Sequence, residues 1–303
     1  MRKVKLFSVL IVIIWFQKLC AQPFIDIVNI QANYFPKTLY KNGTNNNCSS
    51  LFTSGSLFLP LKLNPKSIFV VGLDFNRTQF NYSGDTSMSS RLGATSIQVG
   101  LLKQLSPKFK AMLVAVPKIA TDFKEIDNRD FQMGGALLFT YIKRSSLKFK
   151  LGLYYNREFF GNFFMPLLGI DWKVNSNAYI FGVLPGTMNF EYKLKDKKLY
   201  TGIAYKCITA SYRLSDEYGK YYVRQGHTFW GDNQIKGFLH YYLTKQMIIF
   251  AEVGYAGLHY YQQYNDNNKE VTTIPVYHKL KNQLFFSGGI ALKIRLDDDY
   301  INK

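Results

Sequence analysis

The chain is poor in cysteine, proline and acidic residues: three Cys, nine Pro and 20 Asp plus Glu in 303 residues, against 38 Lys plus Arg. Cys20 falls in an N-terminal leader, so two cysteines remain, Cys48 and Cys207, too few for a disulfide framework and read as unpaired thiols. Beyond residue 22 there is no run of 18 apolar residues, which excludes a spanning helix. No strand–loop–helix context surrounds the glycines of "MGGAL" (133 to 137) or "SGGIA" (287 to 291), which excludes a phosphate loop and leaves backbone packing as their role. No cofactor is implied.

The leader is "MRKVKLFSVLIVIIWFQKLCAQ". Arg2, Lys3 and Lys5 precede an apolar core from Leu6 to Phe16, and Ala21 supplies the small residue near a cut, the layout of a cleaved secretory signal over residues 1–22. Leu19 before Cys20 argues against lipid attachment there. Its removal lowers the formal charge from +18 to +14, since Arg2, Lys3, Lys5 and Lys18 leave with it. An exported chain does not ordinarily meet a genome, and its basic residues form no stripe, so nucleic acid is excluded as a partner and lipid headgroups are the expected counter-charge.

What the chain has in abundance is aromatic residues, 17 % of the total, set in two-residue alternation. In "TMNFEYKLK", Met188, Phe190, Tyr192 and Leu194 share one parity, while Asn189, Glu191, Lys193 and Lys195 share the other. The same period runs through "LKFKLGLYYN" from Leu147 and "QLFFSGGIALKIRL" from Gln283. Strand side chains alternate between faces, so each segment is a ribbon with one oily side. Short breaks at 63–67, 105–109, 144–148, 174–178, 195–198 and 243–247 alternate with mostly longer polar ones at 40–50, 76–91, 124–130, 214–233 and 262–282.

That asymmetry predicts an all-β fold: a transmembrane, antiparallel, up-and-down barrel with short periplasmic turns and long extracellular loops in the cell outer membrane. Residues 23–303 are expected to form one domain of about 14 strands, or about 12 if the two flanking "LPG" at 184 to 186 merge. The strands are expected to begin near 25, 50, 67, 92, 109, 131, 147, 163, 178, 187, 199, 234, 247 and 283. A soluble sandwich also alternates, but ribbons of ten or more residues exceed the usual five or six of soluble strands. Pro60 and Pro117 fall inside ribbons, where bulges are the expected remedy. Because the first ribbon begins almost at once, at Ile25, no plug segment is expected.

The signal ending "CAQ", the strand count and above all "PLLGIDWKVNSNAYIFGVLPGTMNFEYKLKDKKLYTGIAYK" at 166 to 206 resemble an uncharacterised family of outer-membrane β-barrels of Gram-negative bacteria, a domain of unknown function. The resemblance implies location and fold and brings no active-site residues.

For chemistry, the polar parity matters most. Asp74, Asp171, Lys173, Glu191, Lys193, His240, Glu252, Lys293 and Arg295 are the lumen-facing candidates. Lys62, Lys148, Lys150, Lys173, Lys193, Lys293 and Arg295 lie close to short turns, where a solvated periplasmic rim explains them better than an anion-selective pore. Phe58, Leu138, Ile142, Tyr154, Phe238, Tyr242 and Phe285 join the inner parity, giving a partly apolar lumen. His227, His259 and His278 belong to the long loops and are too scattered for a metal site; a serine from another strand could pair with one of them or with His240, but no motif resembles the known outer-membrane phospholipases, so they are read as loop and lumen histidines without catalytic duty. The expectation is a non-enzymatic barrel whose partners are outer-membrane lipid and small solutes. A lipid-modifying enzyme and a structural anchor are the alternatives.

Overall fold

A computed structural model of the protein describes residues 23–41, 45–84, 88–195, 198–215, 221–226, 231–271 and 273–296. The expected leader and His227 lie outside the described residues. Eleven strands follow one another from the start: β1 (Phe24–Leu39), β2 (Asn47–Asn64), β3 (Ser67–Ser83), β4 (Met88–Gln104), β5 (Phe109–Thr121), β6 (Phe131–Arg144), β7 (Leu147–Glu158), β8 (Gly161–Lys173), β9 (Ala178–Leu184), β10 (Thr187–Lys195) and β11 (Leu199–Ile208). Each pairs antiparallel with its predecessor. The ring continues through β14 (Asp232–Tyr242), β15 (Met247–Gly257) and β18 (Gln283–Arg295). β18 then pairs with β1 from Phe24↔Arg295 to Tyr34↔Phe286, and the barrel of 14 strands is closed.

Closure satisfies every strand edge within the wall, which lets the outer parity meet hydrocarbon. Leu113 and Leu151 are each 62 % exposed, and Leu168, Phe190, Leu194, Leu284, Phe286 and Ile290 stand out on the same surface. In water so much continuous apolar surface would aggregate. Outward aromatics gather toward the strand ends, with Phe109 against Tyr141 (5.2 Å) near the short turns and Tyr155 against Phe164 (4.9 Å) near the opposite rim.

The prolines are accommodated without bulges. Pro60 lies past Leu57, the last β2 residue that pairs with β1, so its edge there carries no ladder to interrupt. Opposite Pro117 the β4–β5 ladder skips from Ser96↔Lys118 to Val99↔Ala115 and resumes in the same register. The break expected over 76–91 is also shorter. Pairing continues to Tyr82↔Met88, because the polar residues above the membrane alternate with Thr78 and Phe80, both buried inside.

A larger departure concerns the lumen. The two longest loops fold inward and form a sheet of their own: β12 (Ala210–Arg213), β13 (Tyr221–Gln225), β16 (Tyr261–Asn265) and β17 (Glu270–Val271). One face, with Tyr212, Val223 and Tyr261, packs on Tyr40, Phe80, Leu92 and Ala120 of the β1–β5 side. The opposite face carries Ser211, Arg213, Tyr222 and Arg224 toward β5–β8. The barrel therefore has a plug, built from outer loops and not from an N-terminal segment.

Along the inner wall, glycines on one strand receive aromatic rings from the next. Phe238 lies opposite Gly202, Phe250 opposite Gly289 and Phe285 opposite Gly254. A Cβ at Gly289 would stand 2.2 Å from the Ile30 carbonyl oxygen and 2.5 Å from the Phe250 ring. Backbone atoms in a closed ladder have nowhere to retreat. Gly289→Val is expected to destabilise the barrel by about 2 kcal/mol in denaturant titrations, whereas Gly55→Ala, with its nearest neighbour at 4.0 Å, leaves the midpoint within about 0.5 kcal/mol.

Candidate functional site: a charged chamber beneath a loop plug

The periplasmic half of the lumen contains a chamber of about 370 Å³. Its walls alternate Phe24, Phe181, Phe238 and Phe250 with charged groups of both signs. The charges are matched at close range. Lys236 Nζ is 2.6 Å from Glu252 Oε2, Lys150 Nζ 2.7 Å from Asp171 Oδ1, Arg295 Nη1 2.9 Å from Glu191 Oε1 and Lys293 Nζ 3.4 Å from Asp26 Oδ1. His240 stacks on Phe238 at 4.3 Å, with Nδ1 4.0 Å from Glu191. Arg295 also lies over the Tyr200 ring at 4.0 Å, and its side chain is fully buried.

This pairing changes the expected character of the lumen. Lys293, Arg295 and Lys148 are buried, not spread on a solvated rim, because adjacent strands bring carboxylates or rings within reach. Lys62 does lie exposed beside its turn. The four cation–carboxylate pairs themselves leave little net field of one sign.

Of the expected positions, Glu191, His240, Glu252 and Lys293 line the chamber, and Asp171 and Arg295 hold the partners just described. Asp74 is apart, accepting from Gln98 Nε2 on β3–β4. Lys173 lies half-buried over Tyr179, and Lys193 is half-buried one turn from the inner rim. Asp26 and Lys236 complete the constellation and were not singled out from sequence. Lys236 shares the parity of His240, so its signal was present. Asp26 was hidden by a bulge: the β1–β18 register slips between Asp26 and Val28, and the inner parity passes from even to odd residues.

Above the chamber, buried polar contacts fasten the plug. Glu158 accepts from the Ser211 backbone N–H (2.9 Å) and hydroxyl (2.5 Å), while Lys118 reaches the same carboxylate at 3.3 Å. Arg213 bridges Asp130 (3.1 Å) and Asp127 (3.3 Å) of the β5–β6 loop, and Asp122 accepts from the Ser215 N–H and hydroxyl. Asp232 gathers the two long loops: its Oδ2 receives Gln225 (3.0 Å) and meets His259 Nδ1 at 2.7 Å. His259 stacks on Phe35 (4.4 Å), and both are buried.

A histidine–aspartate pair invites a hydrolase reading, but His259 Nε2 is buried with no hydroxyl partner. Thr187 is the single hydroxyl residue lining the chamber, and no hydrogen bond joins it to His240. Among the described residues no group of three His, Cys, Asp or Glu is placed to hold a metal ion, and Cys48 and Cys207 are not joined in a disulfide.

Residues 17–293 match a domain of unknown function, DUF6268. The chain belongs to the DUF6268 family. No curated protein matches its sequence. Among solved structures the DUF6268 chain is similar to an outer membrane channel from Pseudomonas putida F1, with 8 % identity and a TM-score of 0.47 over 92 % of this chain and 98 % of that one. It is similar to the P. putida toluene transporter TodX (11 %, 0.39, 89 % and 90 %). It is also similar to the outer membrane phospholipase A of Escherichia coli (10 %, 0.36, 89 % and 97 %). The closed ring and its exposed apolar belt are those of a membrane-spanning barrel.

Two outcomes follow from these contacts. Arg295→Gln removes the buried guanidinium paired with the Glu191 carboxylate and is expected to cost the DUF6268 barrel about 3 kcal/mol, while Glu191→Gln added to it recovers part of the loss in a double-mutant cycle. The second concerns Asp127, whose carboxyl is held down at about 2 by hydrogen bonds from Arg129, with Arg213 adding to the effect. A depressed carboxyl contributes stability above the unfolded value of about 4, and this is lost as pH falls toward 2. Hydrogen exchange at 122–130 should therefore quicken between pH 4 and 2 in the wild type, and be quick already at pH 5 in Asp127→Asn.

Proposed function

We propose that this outer-membrane barrel is a non-enzymatic passage for small solutes, with the loop sheet as its gate and the charged chamber as the station beneath it. The observation that carries the reading is the vertical order of the lumen: a packed, polar-fastened partition above a chamber whose walls alternate rings and paired charges. The chamber's volume lies at the small end of ligand pockets. Paired charges suit a solute with both polar and apolar parts, since such a solute exchanges hydrogen bonds with Lys236 or Glu252 without leaving a naked ion behind.

Gating belongs to the plug because its ties are individually breakable. Glu158, Asp130 and Asp232 each hold one part of the sheet to the wall, and no covalent link does. A purely structural barrel would have no need of a hydrated chamber, and a lipid hydrolase would need a nucleophile beside His240 or His259.

Planar-bilayer recording tests the passage directly. The intact protein should conduct weakly and intermittently, and replacement of residues 209–231 by a short glycine–serine turn should raise conductance about tenfold, since the larger lumen of a barrel of this girth is then open. Zero current and zero liposome swelling from both forms, each shown to be folded by heat-modifiable gel mobility, would refute the reading.

A further inference from the structure

A second cavity, of about 470 Å³, lies away from the chamber, at the extracellular rim where the tops of β3 and β4 meet the edge of the plug. Its outer side is lined by Arg77, Arg91, Phe75 and Phe123 and its inner side by the plug residues Leu214 and Tyr277, with Lys124 and Asp122 between them, the Asp122 carboxylate being taken up by Ser215. Arg77 and Phe75 share the outer parity of β3 with exposed Leu73, and Arg91 shares that of β4 with exposed Ile97 and Val99. These arginines therefore continue the lipid-facing surface upward. Arg77 pairs across the ladder with Gly93, and Arg91 sits one diagonal step above it, opposite Gln79. Diagonal neighbours of this kind stand about 7–8 Å apart at their origins, within reach of a shared ligand for two long side chains.

The glycine has a further consequence. Phe123 adopts a left-handed backbone, φ 59°, unfavourable for a bulky residue, and this brings its ring to Gly93, where a Cβ would lie 2.6 Å from Cε2. The ring is still 37 % exposed, and Phe75 stands just below it, 44 % exposed. The rim thus presents two guanidinium groups above two aromatic rings. Neither Arg77 nor Arg91 has an ion pair among the described residues, whereas the chamber's arginine and lysines are matched by carboxylates. Unmatched guanidinium at the border of hydrocarbon calls for an anion supplied by the surroundings, and its planar fork fits phosphate oxygens.

We propose that this pocket holds a phosphorylated lipid of the outer leaflet, its phosphate between Arg77 and Arg91 and its acyl chains against Phe75 and Phe123. The site goes beyond solute passage and stands or falls apart from it, because Phe75, Arg77 and Arg91 stand on the outer parity of β3 and β4 and none of them lines the chamber. Lys124 lies at its upper edge and adds positive charge.

Native mass spectrometry of the full chain in detergent tests it, with bisphosphorylated lipid A as the probe and chemically dephosphorylated lipid A as the comparison. The wild type should retain the phosphorylated form at least tenfold better than the dephosphorylated one. Arg77→Gln with Arg91→Gln should weaken that retention by about tenfold or more, the loss of charge-assisted contacts. A charge-matched control at the opposite rim, Lys62→Gln with Lys103→Gln, should retain it like the wild type. Equal retention by wild type and the arginine variant, or equal retention of the two lipid forms, overturns the proposal. Displacement by inorganic pyrophosphate at the same concentration as the lipid overturns it too, since it marks a site for soluble phosphate. If the double variant does not fold, Arg91→Gln alone, at the more exposed position, carries the comparison.

Discussion

Backbone amides and carbonyls in hydrocarbon must be paired within the protein, and this chain meets that demand by returning β18 to β1. Once the ring is closed, the outer parity is given to lipid, and polar groups are confined to the lumen and the two rims. The residues that look out of place in a soluble reading are then ordinary. Leu151 and Phe190 are exposed because their solvent is lipid, while Glu191 and Lys293 are buried because their parity leaves no other direction.

Confinement creates a second problem, which the lumen solves in two ways. A ring of this girth is too wide for wall side chains alone to fill. In the periplasmic half, Phe238 and Phe250 lie against facing glycines, and ion pairs across neighbouring strands line the remaining space. In the extracellular half the wall is taller, since β2, β3 and β4 run to 17 or 18 residues, and an inserted sheet fills it. The inserted sheet works like a β-sandwich layer inside a barrel: its Tyr212 and Val223 face packs on apolar wall, and its Arg213 face meets Asp127 and Asp130.

These two solutions differ in how legible they are from sequence. Barrel strands show themselves because lipid and lumen impose opposite chemistry on alternate residues, and the tight turns at "LNPKS" or "LTKQM" mark the ends. Thirteen of the fourteen barrel strands begin within three residues of where alternation places them; β4 opens at Met88, four residues before the apolar alternation resumes at Leu92, because residues above the membrane keep the strand geometry without the oily face. The plug strands, "ASYR", "YYVRQ" and "YQQYN", are four or five residues long and nearly buried on both faces, so no alternation of polarity records them. Their loops read as long and polar because Arg213, Arg224 and Asp232 carry charge that the fold then buries against partners on other strands. Asp26 was lost for a smaller reason, one bulged residue, which shows how completely a period of two depends on register.

Matched and unmatched charge also separate the chamber from the rim cavity. In the chamber each lining lysine has a carboxylate beside it, so that Lys236 and Glu252 would remain satisfied whether the space is full or empty. At the outer rim Arg77 and Arg91 have no such substitute, which is tolerable only where a counter-ion is always at hand. A membrane surface provides one continuously and a solute stream does not. By this reasoning the pairing state of the charges, more than the sign of their sum, distinguishes a surface built for transit from one built for permanent contact.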